Sequence, residues 1–180
     1  MTAIAGADTQ AGMKNVITAV ILAGFCVCAA RGEEANGLRL SIQKTVLERE
    51  TDRDSFLYWE KVEKALALKV SATNLSFKEK PDGTLSYIVI VKRWGSSPTR
   101  YERFSGTEAF PLLKAGAKSD LKVGKVPLGG YEGGTNRKQY QDTIEGWQVT
   151  VKHGDAETIK VTSTASFDKL NAKAKDAVKP

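Results

Sequence analysis

Apolar and polar residues alternate over most of 38–46 of the chain. Successive side chains of a β-strand point to opposite faces, so a regular alternation of this kind places one face of the strand in a core and the other in water. The apolar parity holds Leu38, Leu40, Ile42 and Val46. The segment is therefore predicted to be a half-buried strand.

The longest strand-like pattern runs from 65 to 94. Its apolar parity changes near Thr73-Asn74, which indicates a bulge or a kink. Pro81-Asp82-Gly83 has the composition of a tight turn, and the run of apolar residues at 87–91 is typical of a strand covered on both faces. We therefore expect a hairpin, formed by 65–77 and 85–94, at the centre of the core.

A second hairpin is predicted further along the chain, on both sides of the turn His153-Gly154-Asp155-Ala156. The apolar positions of its two strands are Trp147, Val149, Val151, Ile159 and Val161. His153 belongs to the turn and is expected at the surface. Trp94 and Trp147 are expected to pack between the sheets.

These elements predict an all-β fold. About seven or eight short strands recur at intervals of roughly ten residues, with turn signals between them, as in a β-sandwich. A closed barrel is the alternative architecture. Near 55–64 the spacing of Phe56, Trp59 and Val62 is closer to helical, which indicates a short helix or an irregular segment.

Residues 1–30 have the composition of an N-terminal extension followed by a secretory signal peptide. Lys14 precedes an uncharged run of 15 residues, VITAVILAGFCVCAA, at 16–30. Such a run is short for a membrane span, and small residues precede candidate cleavage sites after Ala29 and Ala30. We predict export with Met13 as the start of the signal. The alternatives are an uncleaved anchor, a lipoprotein signal and a type IV prepilin leader, none of which is favoured.

The predicted mature chain divides into three parts. Residues 31–37 are expected to be a linker, 38–168 the β-sandwich domain, and 169–180 a flexible or weakly helical tail rich in Ala and Lys. No integral membrane span is expected after signal cleavage. The expected location is the periplasm, the outer-membrane surface or the extracellular space.

The composition is that of a globular protein, with 41% hydrophobic and 27% charged residues. The formal net charge of +6 favours an acidic partner, such as an acidic surface glycan, or simply keeps the protein soluble. Because an exported protein does not meet nucleic acid in the cell, we do not expect nucleic acid to be its ligand.

The sequence contains no recognisable catalytic site. One histidine is present, and both cysteines, Cys26 and Cys28, lie in the predicted leader. A Ser/His or Cys/His pair and a thiolate metal site are therefore not expected in the mature domain. Asp142 and Glu145 are the acids nearest to a candidate functional loop, with a ligand or calcium role as one interpretation. We predict no enzyme activity, no catalytic residue, no metal and no cofactor.

Aromatic residues near a flexible loop are a better indication of function. The segment GGYEGGTN at 129–136 is Gly-rich but lacks the Lys and Ser/Thr of a phosphate-binding loop. Trp, Tyr and Arg side chains contribute most to protein contacts. The candidate partner-binding residues are Tyr131, Gly130, Gly133, Arg137, Tyr140 and Tyr101.

Several short motifs resemble those of bacterial exported modules of the immunoglobulin-like and fibronectin-like type. The motifs are ALKVSATNLSF at 67–77, the Pro-Asp-Gly turn, SYIVIVKRW at 86–94, SGTE at 105–108, GGYEGG at 129–134 and DTIEGWQV at 142–149. Together they are similar to a small family of exported proteins from verrucomicrobial and planctomycete bacteria.

This resemblance implies an immunoglobulin-like β-sandwich and an envelope protein of unassigned function. An association with pilus-like surface assemblies is one interpretation. The bridging cysteines of antibody domains are absent, so antigen-like recognition is not implied.

We therefore expect a non-enzymatic cell-envelope or secreted protein that acts by contact with a protein partner or with itself. Unpaired strand edges or the Gly/Tyr loop would make that contact. The alternative is a carbohydrate- or polyanion-binding module with Trp and Tyr platforms beside Lys and Arg.

Overall fold

The structure is a computed structural model that describes residues 31–53, 59–133, 138–154 and 158–177. Ten strands and one short helix lie within these ranges. The strands are β1 (Arg31–Ala35), β2 (Leu38–Arg53), β3 (Trp59–Asn74), β4 (Gly83–Arg93), β5 (Arg100–Phe110), β6 (Lys118–Gly133), β7 (Lys138–Gln141), β8 (Thr143–His153), β9 (Ile159–Thr162) and β10 (Lys175–Asp176), and the helix is α1 (Phe167–Lys173).

The strands form two sheets of five. The order is β1-β2-β3-β6-β7 in the first sheet and β10-β5-β4-β8-β9 in the second. Neighbouring strands are antiparallel, apart from the two-residue β10, which runs parallel to β5. The expected all-β sandwich is confirmed.

Alternating residues of both sheets make one core. Ile42 of β2 and Val70 of β3 share a cluster with Val89 of β4 and Val149 of β8, and none of these is more than 1% exposed. Fully burying such a side chain stabilises the fold by about 1.5–3 kcal/mol. The apolar residues at every second position of the strands therefore hold the two sheets together.

Six of the described strands, β2, β3, β4, β6, β8 and β9, reproduce an immunoglobulin-type order, and β5 lies beside β4. In that fold strand E lies beside B in one sheet, and F lies between C and G in the other. Here β6 lies beside β3, and β8 lies between β4 and β9. The short β1, β7 and β10 are additions at the sheet edges.

The expected hairpin over 65–94 is wrong, because β3 and β4 lie in different sheets. The chain leaves the first sheet at Asn74, whose fully buried amide bonds to the carbonyl oxygens of Lys78, Leu113 and Lys114. These bonds fix a crossing loop where a tight turn was expected. The second predicted hairpin is confirmed, since β8 pairs with β9 from Val151↔Ile159 onward.

Residues 31–37, which the sequence pattern assigned to a linker, form β1 and a two-residue turn. Asn36 and Gly37 have φ angles of 53° and 71°, and Ala35 pairs with Leu38 across the turn. Asn-Gly is the preferred sequence for such a turn, because both central residues need a positive φ. The segment is therefore a hairpin with β2.

The strands β2, β3 and β6 have 16 residues each, whereas β4, β5 and β8 have 11. We call the extra length the arm, which comprises 47–53 of β2, 59–66 of β3, 126–133 of β6 and the whole of β7. Bulges at Val46/Glu48 and Leu66/Leu68 lie where the arm begins.

The short helix or irregular segment predicted near 55–64 is not found at 59–64, which form part of the arm. Residues 59–64 belong to β3, because their pairing with both β2 and β6 outweighs the local helical spacing. Residues 54–58 lie outside the described residues.

Helix α1 covers part of the outer face of the second sheet. Phe167 is 1% exposed and packs against Ile90 and Ala174. The predicted tail thus contains the end of this helix and β10. Among the described helices there is none that is both long and apolar enough to span a membrane.

The predicted surface position of His153 is wrong, because its side chain is buried. It is the last residue of β8, it pairs with Gly83, and it is 1% exposed because it continues the inward parity of Val149 and Val151. Neither ring nitrogen has a hydrogen-bond partner among the described residues. Burial lowers the pKa of His153, and the positive charge of Lys80 lowers it further.

We expect the free energy of unfolding to fall as the pH drops below about 6.5, the ordinary pKa of histidine. Below that pH the unfolded chain takes up a proton at His153 before the folded protein does, because the folded-state pKa is lowered. The contribution of His153 is thus fully present above about pH 6.5 and is lost as the pH falls through the folded-state pKa.

Urea unfolding of the wild type and of His153→Leu between about pH 8 and pH 5 measures this effect. His153 is the only histidine in the chain, so the difference between the two proteins isolates it. The stability gap should widen in favour of His153→Leu as the pH falls. Two parallel curves would contradict a buried neutral imidazole.

Candidate functional site

Four aromatic side chains meet at the arm, and we call them the aromatic cluster: Trp59, Trp94, Tyr131 and Tyr140. The ring centroids of Trp94 lie 5.8 Å from Tyr131 and 5.6 Å from Tyr140, and Trp59 lies 5.4 Å from Tyr140. Trp94, Tyr131 and Tyr140 are 48%, 42% and 38% exposed. The cluster is therefore an ordered patch that still presents much apolar surface to water.

Strand register places three members of the cluster on one face of the arm. Lys61, Tyr131 and Tyr140 are directly paired across β3, β6 and β7, so their side chains share a face. Trp59 is two residues from Lys61 and therefore lies on the same face. Trp94 approaches this face from the end of β4, in the other sheet.

The prediction that Trp94 packs between the sheets is wrong, because its side chain is exposed over the arm. Trp147 is buried as predicted, at 6% exposure. Trp94 follows the last residue of β4, and its backbone N–H donates to Asp142 Oδ1 at 2.8 Å. This bond turns the chain away from the core. The indole therefore lies over the arm.

The Arg93 guanidinium holds this corner together. Its Nε and Nη2 both donate to Glu102 Oε2, at 2.8 and 2.6 Å, and Nη1 donates to Asp142 Oδ2 at 2.7 Å and to the Pro127 carbonyl at 3.1 Å. It also lies 5.6 Å from the centre of the Phe104 ring. One side chain of β4 therefore contacts β5, β6 and the connection between β7 and β8.

Asp142 is the acceptor at the centre of this corner. Besides Arg93 and Trp94, the backbone N–H of Gly129 donates to Asp142 Oδ2 at 2.9 Å. Burial opposes the charge on Arg93, but hydrogen bonds to Glu102 and Asp142 outweigh it and raise the pKa of Arg93. Asp142 is thus a structural ion-pair partner, and the described residues contain no group of His, Cys, Asp or Glu arranged to hold a metal ion.

The opposite face of the arm carries a second polar network. Glu132 accepts from Arg49 at 2.8 Å and from Lys64 at 2.7 Å, and Lys64 also donates to Gln141 at 2.9 Å. Burial alone would raise the pKa of Glu132, but the bond and charge of Lys64, with the charge of Arg49, lower it. These side chains bind all four strands of the arm to one another.

A row of carboxylates lies on the same face as the aromatic cluster, and we call it the acidic row: Glu48, Glu50, Asp52 and Glu63. Asp52 pairs with Lys61 and Glu50 with Glu63, so the register places them beside Tyr131. A groove of about 520 Å³ runs along the row, with Ala65 and Gly129 among its lining residues. Its lining also includes Arg93 and Asp142.

The structure brings two of the predicted site residues together, Tyr131 and Tyr140. Gly130 pairs with Gln141, where a Cβ would lie 2.5 Å from Gln141 Cα, and Gly133 has a φ of 150°, so both serve the backbone. Tyr101 packs near α1 on the second sheet. Arg137 lies outside the described residues.

Trp59 and Trp94 are the cluster members that the sequence did not select. Trp94 lies at the end of a strand-like pattern, whereas Trp59 lies in the segment whose spacing is closer to helical. What was missing was the tertiary structure, which brings Trp94 next to Tyr131 although they lie 37 positions apart in the chain. Asp142, for which a ligand or calcium role was one interpretation, accepts the backbone N–H of Trp94 in the structure.

No family model matches the chain, and no similarity to curated proteins or to solved structures was found.

Replacement of Asp142 by Ala should destabilise the protein and disorder the aromatic cluster. It leaves the Arg93 charge half-paired and removes the acceptor of two backbone N–H groups, which we expect to cost about 3 kcal/mol. The near-ultraviolet circular dichroism of the clustered Trp and Tyr rings should also weaken. Urea unfolding and circular dichroism measure the two effects.

Asp168→Ala is the matched control, because the Asp168 side chain is 86% exposed and lies 4.0 Å from Lys160. Its effect should stay within about 0.5 kcal/mol of the wild type. If Asp142→Ala behaved like this control, the corner would not depend on Asp142.

Proposed function

We propose that this chain is a non-enzymatic envelope or secreted β-sandwich protein that acts by protein–protein contact, and that the aromatic cluster is its contact surface. The observation that carries the proposal is the partial exposure of three adjoining aromatic rings held in place by ion pairs. Trp and Tyr are the residues that contribute most to protein interfaces, and a rigid anchor loses little entropy on binding.

The ring geometry favours a protein partner. The rings meet at interplanar angles of 43° to 63° and cover one another in part. A sugar ring stacks on an open, flat aromatic face, whereas a compact cluster of tilted rings fits a pocket between side chains. Tilted contacts of this kind also stabilise the cluster itself, by about 0.5–1.5 kcal/mol for each pair.

The strand edges support side-chain docking rather than strand addition. Among the described strands, β7 covers the outer edge of β6 only at 130–133, so 118–128 is open. That edge carries Lys118, Lys122, Lys125 and Pro127 and a bulge, the features by which proteins prevent edge-to-edge pairing. The other edge strands, β1, β9 and β10, have five residues or fewer.

Binding of a neutral glycan is the second candidate. It is favoured by the exposed carboxylates of Glu50 and Glu63 beside Tyr131, because carboxylate oxygens accept hydrogen bonds from sugar hydroxyls. An acidic glycan is less compatible with this face, since the acidic row would repel it.

Cross-linking in the native host, with a photoreactive residue in place of Lys61, which is 54% exposed and pairs with Tyr131, tests the proposal. Trp94→Ala should reduce the yield of specific protein adducts about tenfold, the loss expected for an interface anchor. Val46→Ala is the matched control, because Val46 is 57% exposed and lies outside the cluster, and it should leave the yield unchanged.

Adducts that are equally abundant in Trp94→Ala and Val46→Ala would refute the aromatic cluster as the contact surface. If no protein adduct formed while a glycan array showed retention that Trp94→Ala abolished, the second candidate would replace the first.

A further inference from the structure

A second apolar patch lies at the opposite end of the first sheet, in the loops 75–82 and 111–117, which we call the Phe77 end. Phe77 is fully exposed, at 102%, and Leu75 and Leu112 are 41% and 46% exposed. A phenylalanine side chain with no cover is unusual on a folded monomer, and apolar patches of this kind mark interaction sites. No described contact of the chain explains it.

The Phe77 end is held in shape by Asn74. Its Nδ2 donates to the carbonyls of Lys78, Leu113 and Lys114 at 2.8 to 3.1 Å, and its Oδ1 accepts from the N–H and the hydroxyl of Ser76. Lys80 and Leu113 exchange two backbone hydrogen bonds. The two loops therefore form one fixed surface that presents Phe77 to solvent.

The two ends of the molecule are complementary in charge. Residues 75–82 and 111–117 carry three lysines against two acids, and Lys118 of β6 follows directly. The arm presents the acidic row beside its aromatic rings, and side-chain exposures of 62% for Glu48 and 59% for Glu63 leave these carboxylates accessible although each pairs with a lysine. A basic, apolar end thus faces away from an acidic, aromatic end.

One molecule cannot join its own two ends. Trp59 and Asn74 begin and end the single strand β3. At about 3.3 Å for each residue, this strand separates the ends by roughly 50 Å. Any contact between them is therefore a contact between molecules.

We propose that a second copy of this chain is the partner, and that its Phe77 end docks on the aromatic cluster and the acidic row in a head-to-tail contact. This inference rests on the proposed function, whose contact surface it uses, and adds the identity of the occupant. Phe77 lies among Trp94, Tyr131 and Tyr140 of the next molecule, and Lys78 lies against the acidic row. Such a contact uses different surfaces on its two sides, so it repeats into rings or open chains.

Sedimentation velocity on the full chain tests this arrangement through a mixing experiment. Phe77→Ala lacks the donor end and keeps the aromatic cluster, whereas Trp94→Ala lacks the cluster and keeps the donor end. Each variant alone should associate about tenfold more weakly than the wild type or worse. An equimolar mixture should form a one-to-one dimer and nothing larger, because only one competent interface remains.

Two controls and one further test variant accompany the mixture. Val46→Ala should associate like the wild type, and all proteins share residues 1–30, so any effect of that segment is common to them. Glu50→Lys changes an exposed residue of the acidic row and should weaken association without unfolding the protein.

A wild type that stays monomeric at every concentration would overturn the head-to-tail contact. So would a Phe77→Ala variant that associates like the wild type, which would indicate a symmetric contact between two clusters, or a mixture that stays monomeric. If the wild type is monomeric while its host adducts still depend on Trp94, the proposed function stands with another protein as partner.

Discussion

The ion pairs of Arg93 with Glu102 and Asp142 are the interaction on which the open end of this sandwich depends. They join the end of β4 to β5, to β6 and to the β7–β8 connection at distances of 2.6 to 3.1 Å. The Glu102 and Asp142 side chains are only 12% and 11% exposed, so their charges need a partner, and the pairing dictates the path of the chain. Asp142 also accepts the backbone N–H of Trp94. The carboxylate that pairs with Arg93 therefore also places the Trp94 indole over the arm.

The two faces of the arm have different roles. On one face, Glu132 and Lys64 link the strands through ion pairs and hydrogen bonds, so these four strands hold a common register beyond the end of the second sheet. The other face carries exposed Trp and Tyr rings with a row of carboxylates, and their contacts with one another and with lysines leave much of their surface open to solvent. An acidic row on a chain of net charge +6 is a local departure from the overall balance, and such departures orient partners.

Alternation of apolar residues was sufficient to predict the fold class and the β8–β9 hairpin, because burial of one face is a local property of each strand. It failed at 59–64, where pairing with two long strands overrides a helical spacing, and at 65–94, where the buried amide of Asn74 sends the chain across to the other sheet. The Asn36-Gly37 turn could have been predicted, because Asn-Gly is the preferred sequence of a two-residue hairpin turn. The Arg93 corner did not, because its partners lie 9 and 49 residues away along the chain and only the register brings them together.

The most direct test of the head-to-tail contact is a dilution series followed by nuclear magnetic resonance of the three tryptophan indole N–H groups. Trp59 and Trp94 belong to the aromatic cluster, whereas Trp147 is 6% exposed in the core and serves as the internal reference. The account predicts that the signals of Trp59 and Trp94 shift with protein concentration, together with the backbone amide of Phe77, while Trp147 stays constant. Cluster signals that stay constant at all concentrations, or a Trp147 signal that moves with them, would contradict it.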